Sequence, residues 1–236
     1  MNLDEIKVSL SNSDPQVRMR GLTALRGIDA EVAAPILLNQ VDDSEMIIRS
    51  FVMMGLGHKR SDEGFAKLLE VMDEDADPNI RAEAAGALAK FGSVAVPHLV
   101  HHFHQDQHWL SQMTVVLALP DLNCPKEFLE VALIASNSTE GAVRSTAIEQ
   151  LPMLVDTPYT EQALAELLNH VEDEDWTVRR NVVLALQAFN DDRAKKATLE
   201  LRQDNNYQVV AATLEALLTS DQLINGDDRY PDLHKI

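Results

Sequence analysis

Asp14-Pro15-Gln16-Val17-Arg18 returns in related form as Asp77-Pro78-Asn79-Ile80-Arg81, Glu140-Gly141-Ala142-Val143-Arg144 and Asp175-Trp176-Thr177-Val178-Arg179. Weaker copies end at Arg49, Ser111 and Val210. The anchor positions 18, 49, 81, 111, 144, 179 and 210 stand 31, 32, 30, 33, 35 and 31 residues apart, a mean of 32. A period of this length belongs to arrays in which each repeat is one helical hairpin that cannot bury its apolar face alone.

The columns around the anchor say which way each helix faces. Just before it stand Val17, Ile48, Ile80, Leu110, Val143, Val178 and Val209; seven residues after it stand Leu25, Leu56, Leu88, Ala118, Leu151, Leu186 and Leu217. Apolar residues recurring at the helical period define an inward stripe. Each anchor therefore lies in the first turn of a core-facing second helix, near residues 15–27, 46–57, 78–91, 109–119, 141–154, 176–189 and 207–219. Amphipathic runs such as Glu31 to Val41 and Glu161 to Val171 supply the first helices. Six residues before the anchor stand Asn12, Asp43, Asp75, Gln105, Ser138, Asp173 and Asp204, helix-start chemistry that Pro15 and Pro78 complete in two copies. The expected fold is all-α: a right-handed α-solenoid of about seven helical hairpins in a single domain over residues 1–220, followed by a C-terminal tail, 221–236, where the period is lost.

Composition narrows the function. Of 236 residues, 45% are hydrophobic and 25% charged, enough for a sizeable core. The formal charge of −18 works against nucleic acid, whose binding depends on Lys and Arg neutralising phosphates, and against anionic membrane surfaces. Cys124 is the lone cysteine, which excludes an internal disulfide and fits a cytoplasmic location. Residues 1–6 carry neither a basic stretch nor an apolar run, and no segment approaches about 20 apolar residues, so neither a leader nor membrane insertion is expected.

Acidic clusters at Asp42-Asp43, Asp73 to Asp75, Glu172 to Asp175 and Asp204 fall in the same turn of successive copies, predicting an acidic rim that caps helices or docks a basic partner. Asp73, Asp75 and Asp77 mimic the start of a calcium loop, but Pro78 and Ala84 stand where the loop needs glycine and a bidentate glutamate, so no calcium is expected.

A second-helix column two before, two after and five after the anchor is polar in most copies but apolar in the second and fourth. Ile47, Phe51, Met54, Trp109, Met113 and Val116 are accordingly the candidate partner-binding patch on the concave face. The fourth copy also holds His98, His101, His102, His104 and His108. His98 and His102 share a helical face, but two imidazoles are not a metal site; alignment with the second copy places His98 in the core and His101, His102 and His104 in solvent, and no metal is expected. Cys124 is read as an inert turn residue. No Gly-x-Ser-x-Gly elbow, activated cysteine or glycine-rich phosphate loop is present, so no catalytic residue is assigned.

The Val-Arg-x-x-Ala pattern, with a turn Asp six residues before the Arg, resembles the HEAT-repeat family over residues 1 to about 220, and is most similar to the short repeats of phycobilin lyases. The resemblance implies a structural ladder from Asp43 and Arg49, Asp75 and Arg81, and Asp173 and Arg179. The first functional expectation is a non-catalytic scaffold or assembly chaperone gripping a protein partner on its concave face, without a cofactor, self-association being left open. The alternative implied by the resemblance is a phycobilin lyase subunit or bilin-handling factor, with a bilin as its ligand. The HEAT-like DNA glycosylases fit poorly, since their basic inner face is at odds with the charge here.

Overall fold

A computed structural model of the chain describes residues 1–224, with side chains described through Leu218. Among the described residues it is wholly helical. Seven hairpins follow in order: α1 (Leu3–Leu10) with α2 (Pro15–Ala24), α3 (Ala30–Leu38) with α4 (Met46–His58), α5 (Asp62–Glu74) with α6 (Pro78–Ala89), α7 (Val96–Gln105) with α8 (Trp109–Ala118), α9 (Pro125–Ala135) with α10 (Gly141–Gln150), α11 (Thr160–Asn169) with α12 (Trp176–Leu186), and α13 (Asp192–Glu200) with α14 (Tyr207–Ile224). The expected tail over 221–236 lies outside the described residues beyond Ile224. Among the described residues no helix is long and apolar enough to cross a membrane.

The chain forms two compact units, the first spanning Met1–Val131 and the second beginning at Ala132, within α9. In the first unit α2, α4, α6 and α8 pack in succession; in the second, α10, α12 and α14 do the same. Ile48, Ile80, Val143, Val178 and Val209 are fully buried, as are Leu56, Leu88 and Leu151. Their burial holds the hairpins together, at about 25 cal/mol for each Å² of apolar surface removed from water.

The turns between paired helices are built the same way throughout. Asp43, Asp75, Asp106, Asp173 and Asp204 each accept the backbone N–H two residues on, at 2.8–3.0 Å. These are Asx turns, in which a short carboxylate supplies the acceptor a backbone turn lacks. Asp14, Asp77 and Asp175 then cap α2, α6 and α12.

This turn chemistry corrects the fourth copy. Arg49 and Arg81 stand six residues after Asp43 and Asp75, so the equivalent of the anchor after Asp106 is Gln112, not Ser111. Ser111, at 0% exposure, occupies the buried column, and half-buried Leu110 does not. The turn acid is Asp106, not Gln105. One residue is about 100° around a helix, which is enough to exchange a core position for a surface one. Val116, expected at the surface, is fully buried as a result, while Leu117 is exposed.

The histidines are corrected in the same helix pair. His98 is exposed, its ring edge-on to Phe65 at 5.7 Å between centroids. His102 is buried between Leu99 and Phe103 in the chain's inward stripe, with Nδ1 3.5 Å from Asp73 Oδ1. Burial holds the His102 imidazole below its ordinary pKa despite Asp106 and Asp73.

Gly57 sets how closely α4 and α6 approach. A Cβ there would stand 2.9 Å from Ala87 Cα and 3.0 Å from Ala87 O, backbone that has no rotamer with which to yield. Gly57→Ala gains about 1 kcal/mol of helix propensity but overpacks the contact by about 1–3 kcal/mol. The expected result is a net loss of about 1 kcal/mol, read as a lower urea midpoint at unchanged m-value; a stabilised variant would mean the two helices part freely.

Candidate functional site

The Arg of each anchor reaches forward to the next copy. Arg18 meets Asp43 at 2.7 Å, Arg49 meets Asp75 at 3.4 Å and Arg81 meets Asp106 at 2.8 Å in the first unit; Arg144 meets Asp173 at 3.2 Å and Arg179 meets Asp204 at 2.7 Å in the second. Each guanidinium also donates to the backbone carbonyl of its own turn, at Asn12, Asp43, Asp75, Ser138 or Asp173. The pairing within one copy suggested by Asp43 with Arg49, Asp75 with Arg81 and Asp173 with Arg179 is therefore made through the backbone, and the carboxylate bond runs to the neighbour. This interaction lines up the turn acids within each unit and engages them structurally. Asp75 and Asp77 in particular are occupied as acceptors of backbone N–H groups.

The candidate patch lies on two second helices of the first unit, α4 and α8. Ile47, Phe51 and Met54 are 49%, 37% and 36% exposed, spaced along one face of α4 opposite buried Val52, Met53 and Leu56. Phe51 and Met54 wall a groove of about 660 Å³ whose floor is Leu22, Leu25 and Leu37. Gly55 opens its base, since a Cβ would stand 3.0 Å from both Leu37 δ-carbons. The other expected members are placed elsewhere. Ile47 lines a separate depression beside Pro15 and Met19, and neither Trp109 nor Met113 borders the groove. Trp109 is exposed and stacks on His108 at 5.9 Å, and Met113 is half-buried.

The end of the groove is basic, a feature the sequence reading missed. Arg26, His58 and Lys59 line it, at the C-terminal ends of the α2 and α4 segments, where the helix dipole favours positive charge. Lys59 Nζ donates to the carbonyls of Arg26 at 2.9 Å and Ile28 at 2.5 Å. Arg60 donates to the carbonyl of Lys90 at 3.0 Å, and Lys90 Nζ stands 3.5 Å from His58 Nε2. His58 is held below the ordinary histidine range, first by the charge of Lys90, then by burial, Arg26 and Lys59. The signal in the sequence was a cation eight to ten residues after the first three anchors, at Arg26, Lys59 and Lys90.

Among the described residues no three His, Cys, Asp or Glu side chains are grouped to hold a metal ion. Cys124 is buried with its Sγ 3.3 Å from the Leu119 carbonyl, and burial pushes its thiol up, away from the reactive thiolate. In the second unit, buried Glu166 accepts hydrogen bonds from Ser136 at 2.6 Å and Asn137 at 2.9 Å and lies 3.1 Å from His170 Nε2.

Comparison with known proteins adds a chemical context. The family model described as HEAT repeats matches residues 37–120 and 129–218. The bilin biosynthesis protein RpcF of Synechococcus sp. strain WH8020 is 30% identical over 161 residues, covering 64% of this chain and 77% of the relative. The phycocyanobilin lyase subunit beta of Nostoc sp. strain PCC 7120 is 28% identical over 158 residues, covering 66% and 68% respectively. Among solved structures, the complex of CpcE and CpcF of phycocyanin lyase from Nostoc sp. PCC7120 is similar in fold, with a TM-score of 0.53 at 17% identity over 93% of this chain and 88% of the matched chain.

Proposed function

Because this chain belongs to the HEAT-repeat family and is similar to a bilin biosynthesis protein and to a phycocyanobilin lyase subunit, we propose that it is a lyase-type, bilin-handling subunit working in the cytoplasm. Its part is to hold a linear tetrapyrrole against the groove walled by Phe51 and Met54 and to present it to a protein partner. The reading rests on one conjunction: relatives named for bilin chemistry match about two thirds of the chain, and the first unit carries an apolar groove of about 660 Å³. That volume falls within the range of small-ligand sites, roughly 300–1,000 Å³. A bilin offers a flat conjugated body to the leucine floor and aromatic wall, so most of its binding energy would come from apolar burial.

Such a subunit still grips a protein partner, as a scaffold would. Exposed Ile47 and Trp109, outside the groove, remain surfaces that a partner subunit could cover.

Titrating the purified chain with biliverdin tests the proposal. The expected result is a saturable change in the visible spectrum with induced circular dichroism, weakened about 10-fold in Phe51→Ala, corresponding to about 1.4 kcal/mol. A pigment spectrum unaltered by protein up to roughly 1 mM, the limit of weak binding, would refute it.

A further inference from the structure

The basic end of the groove does not follow from helix capping alone. Cations near a helix C-terminus usually serve the unpaired carbonyls there. Here those carbonyls are served by other residues: Lys59 takes the carbonyls of Arg26 and Ile28, and Arg60 takes that of Lys90. The side chains of Arg26 and Lys90 are left over. Among the described residues Arg26 forms no hydrogen bond or ion pair, and the polar contact of Lys90 Nζ is His58, itself deprived of positive charge by its neighbours. Among the described residues none of Arg26, Lys59, Arg60 or Lys90 is paired with a carboxylate, although the chain has 38 acidic residues for 20 Lys and Arg. The charges that lower His58 are those of Lys90, Arg26 and Lys59. Neighbouring positive charges without counterions repel one another, and an arriving anion relieves all of them together.

We propose that Arg26 and His58, at the end of the Phe51 and Met54 groove, form a carboxylate-binding subsite together with Lys90, which lines a separate depression and reaches the groove through His58 at 3.5 Å; the subsite is specific for an apolar planar anion and, resting on the reading above, for the propionate groups of a bilin. Arg26 supplies a planar fork suited to a carboxylate, Lys90 a movable point charge, and His58 a ring nitrogen able to donate once the anion compensates the surrounding cations. Lys59 and Arg60, held by carbonyls, frame the subsite and contribute field. The groove thereby fixes direction as well as affinity: the conjugated body lies on Leu22, Leu25 and Phe51 and the acidic edge points to the helix ends.

The test compares biliverdin with its dimethyl ester on the full chain. Both present the same conjugated body, but the ester has no negative charge. Wild type should bind the acid at least about 10-fold more tightly than the ester, and the preference should shrink with added salt. In an Arg26→Gln, Lys90→Gln double variant the acid should lose about 10-fold or more in affinity while ester binding stays as in wild type; both residues are exposed, so the melting temperature should hold and report intact folding. Phe51→Ala should weaken both pigments alike. If wild type binds ester and acid equally, or the double variant keeps the acid, the subsite is refuted while bilin binding stands. If neither pigment binds, the functional reading itself fails and the subsite loses its ligand.

Discussion

Arg81→Ala is expected to destabilise the first unit by about 3 kcal/mol, the cost of breaking one side of a partly buried ion pair. Arg81 places Nε 2.8 Å from Asp106 Oδ2 and Nη2 3.4 Å from Oδ1, while Nη1 donates to the Asp75 carbonyl at 2.9 Å. Both side chains are largely buried, at 19% and 12% exposure. Removing the guanidinium would strand the Asp106 carboxylate beside buried His102, and unpair the Asp75 carbonyl. By the scaling for chains of this size, the loss is roughly 6–12 °C in melting temperature. Arg81→Lys should recover only part of it, because an ammonium cannot fork to two carboxylate oxygens.

The same pair has a pH signature. Burial by itself would raise the Asp106 carboxyl, but the Arg81 bonds and the His108 N–H bring it down to about 2. A depressed carboxylate stabilises the fold above its unfolded pKa and loses that contribution as pH falls through the folded value. The gap between wild type and Arg81→Ala should therefore be fully open at pH 6 and should narrow below pH 4 towards about 2. An unchanged melting temperature at pH 6 would remove the ladder from the account of stability.

What the sequence made legible follows from what repeats. Helical hairpins and the buried columns at Ile48, Ile80, Val143 and Val178 recur because every copy must bury the same face. The fourth copy was misread because its register was judged by an apolar residue before the anchor. The constraint that persists there is the Asx turn at Asp106, and it places small, buried Ser111 where other copies have valine or isoleucine. Val116 went to the wrong side of the surface through that one-residue slip, whereas Phe51 and Met54 are exposed because Asp43 and Arg49 fix the register of their helix. The basic row was invisible for a different reason. Arg26, Lys59 and Lys90 occupy slightly different offsets at helix ends, where local capping rather than the repeat chooses the residue. Only three-dimensional proximity shows that they share one edge.

A Glu166→Ala substitution should destabilise the second unit by about 3 kcal/mol, because three partners lose one acceptor. Ser136 is fully buried, and its hydroxyl, the Asn137 amide and the His170 ring all converge on Glu166 Oε1. Unpaired buried polar groups cost about 1–3 kcal/mol each, more where a charge is involved, although partial relaxation prevents simple addition. His170 brings Glu166 down to about 2, with Ser136 and Asn169 assisting against burial. Glu166 in turn raises His170 above its ordinary range, with Asp173 adding to the effect 3.2 Å from Nδ1. These opposed shifts describe one shared contact and are counted once. For Glu166 the stabilisation is present above 4.5 and is lost as pH falls through about 2; for His170 it is present below 6.5 and is lost as pH rises through its raised folded value. The contribution is therefore largest near pH 5.5, where the carboxylate and imidazolium are both charged. Urea unfolding at pH 3, 5.5 and 9 should show the wild-type advantage over Glu166→Ala greatest at the middle value. Glu166→Gln, which keeps an acceptor but no charge, should fall between the two and let His170 titrate lower by NMR. A deficit equal at all three pH values, with an unmoved His170 titration, would reduce the contact to neutral hydrogen bonding and leave the Arg144 and Arg179 ion pairs as the charge-dependent part of this unit's stability.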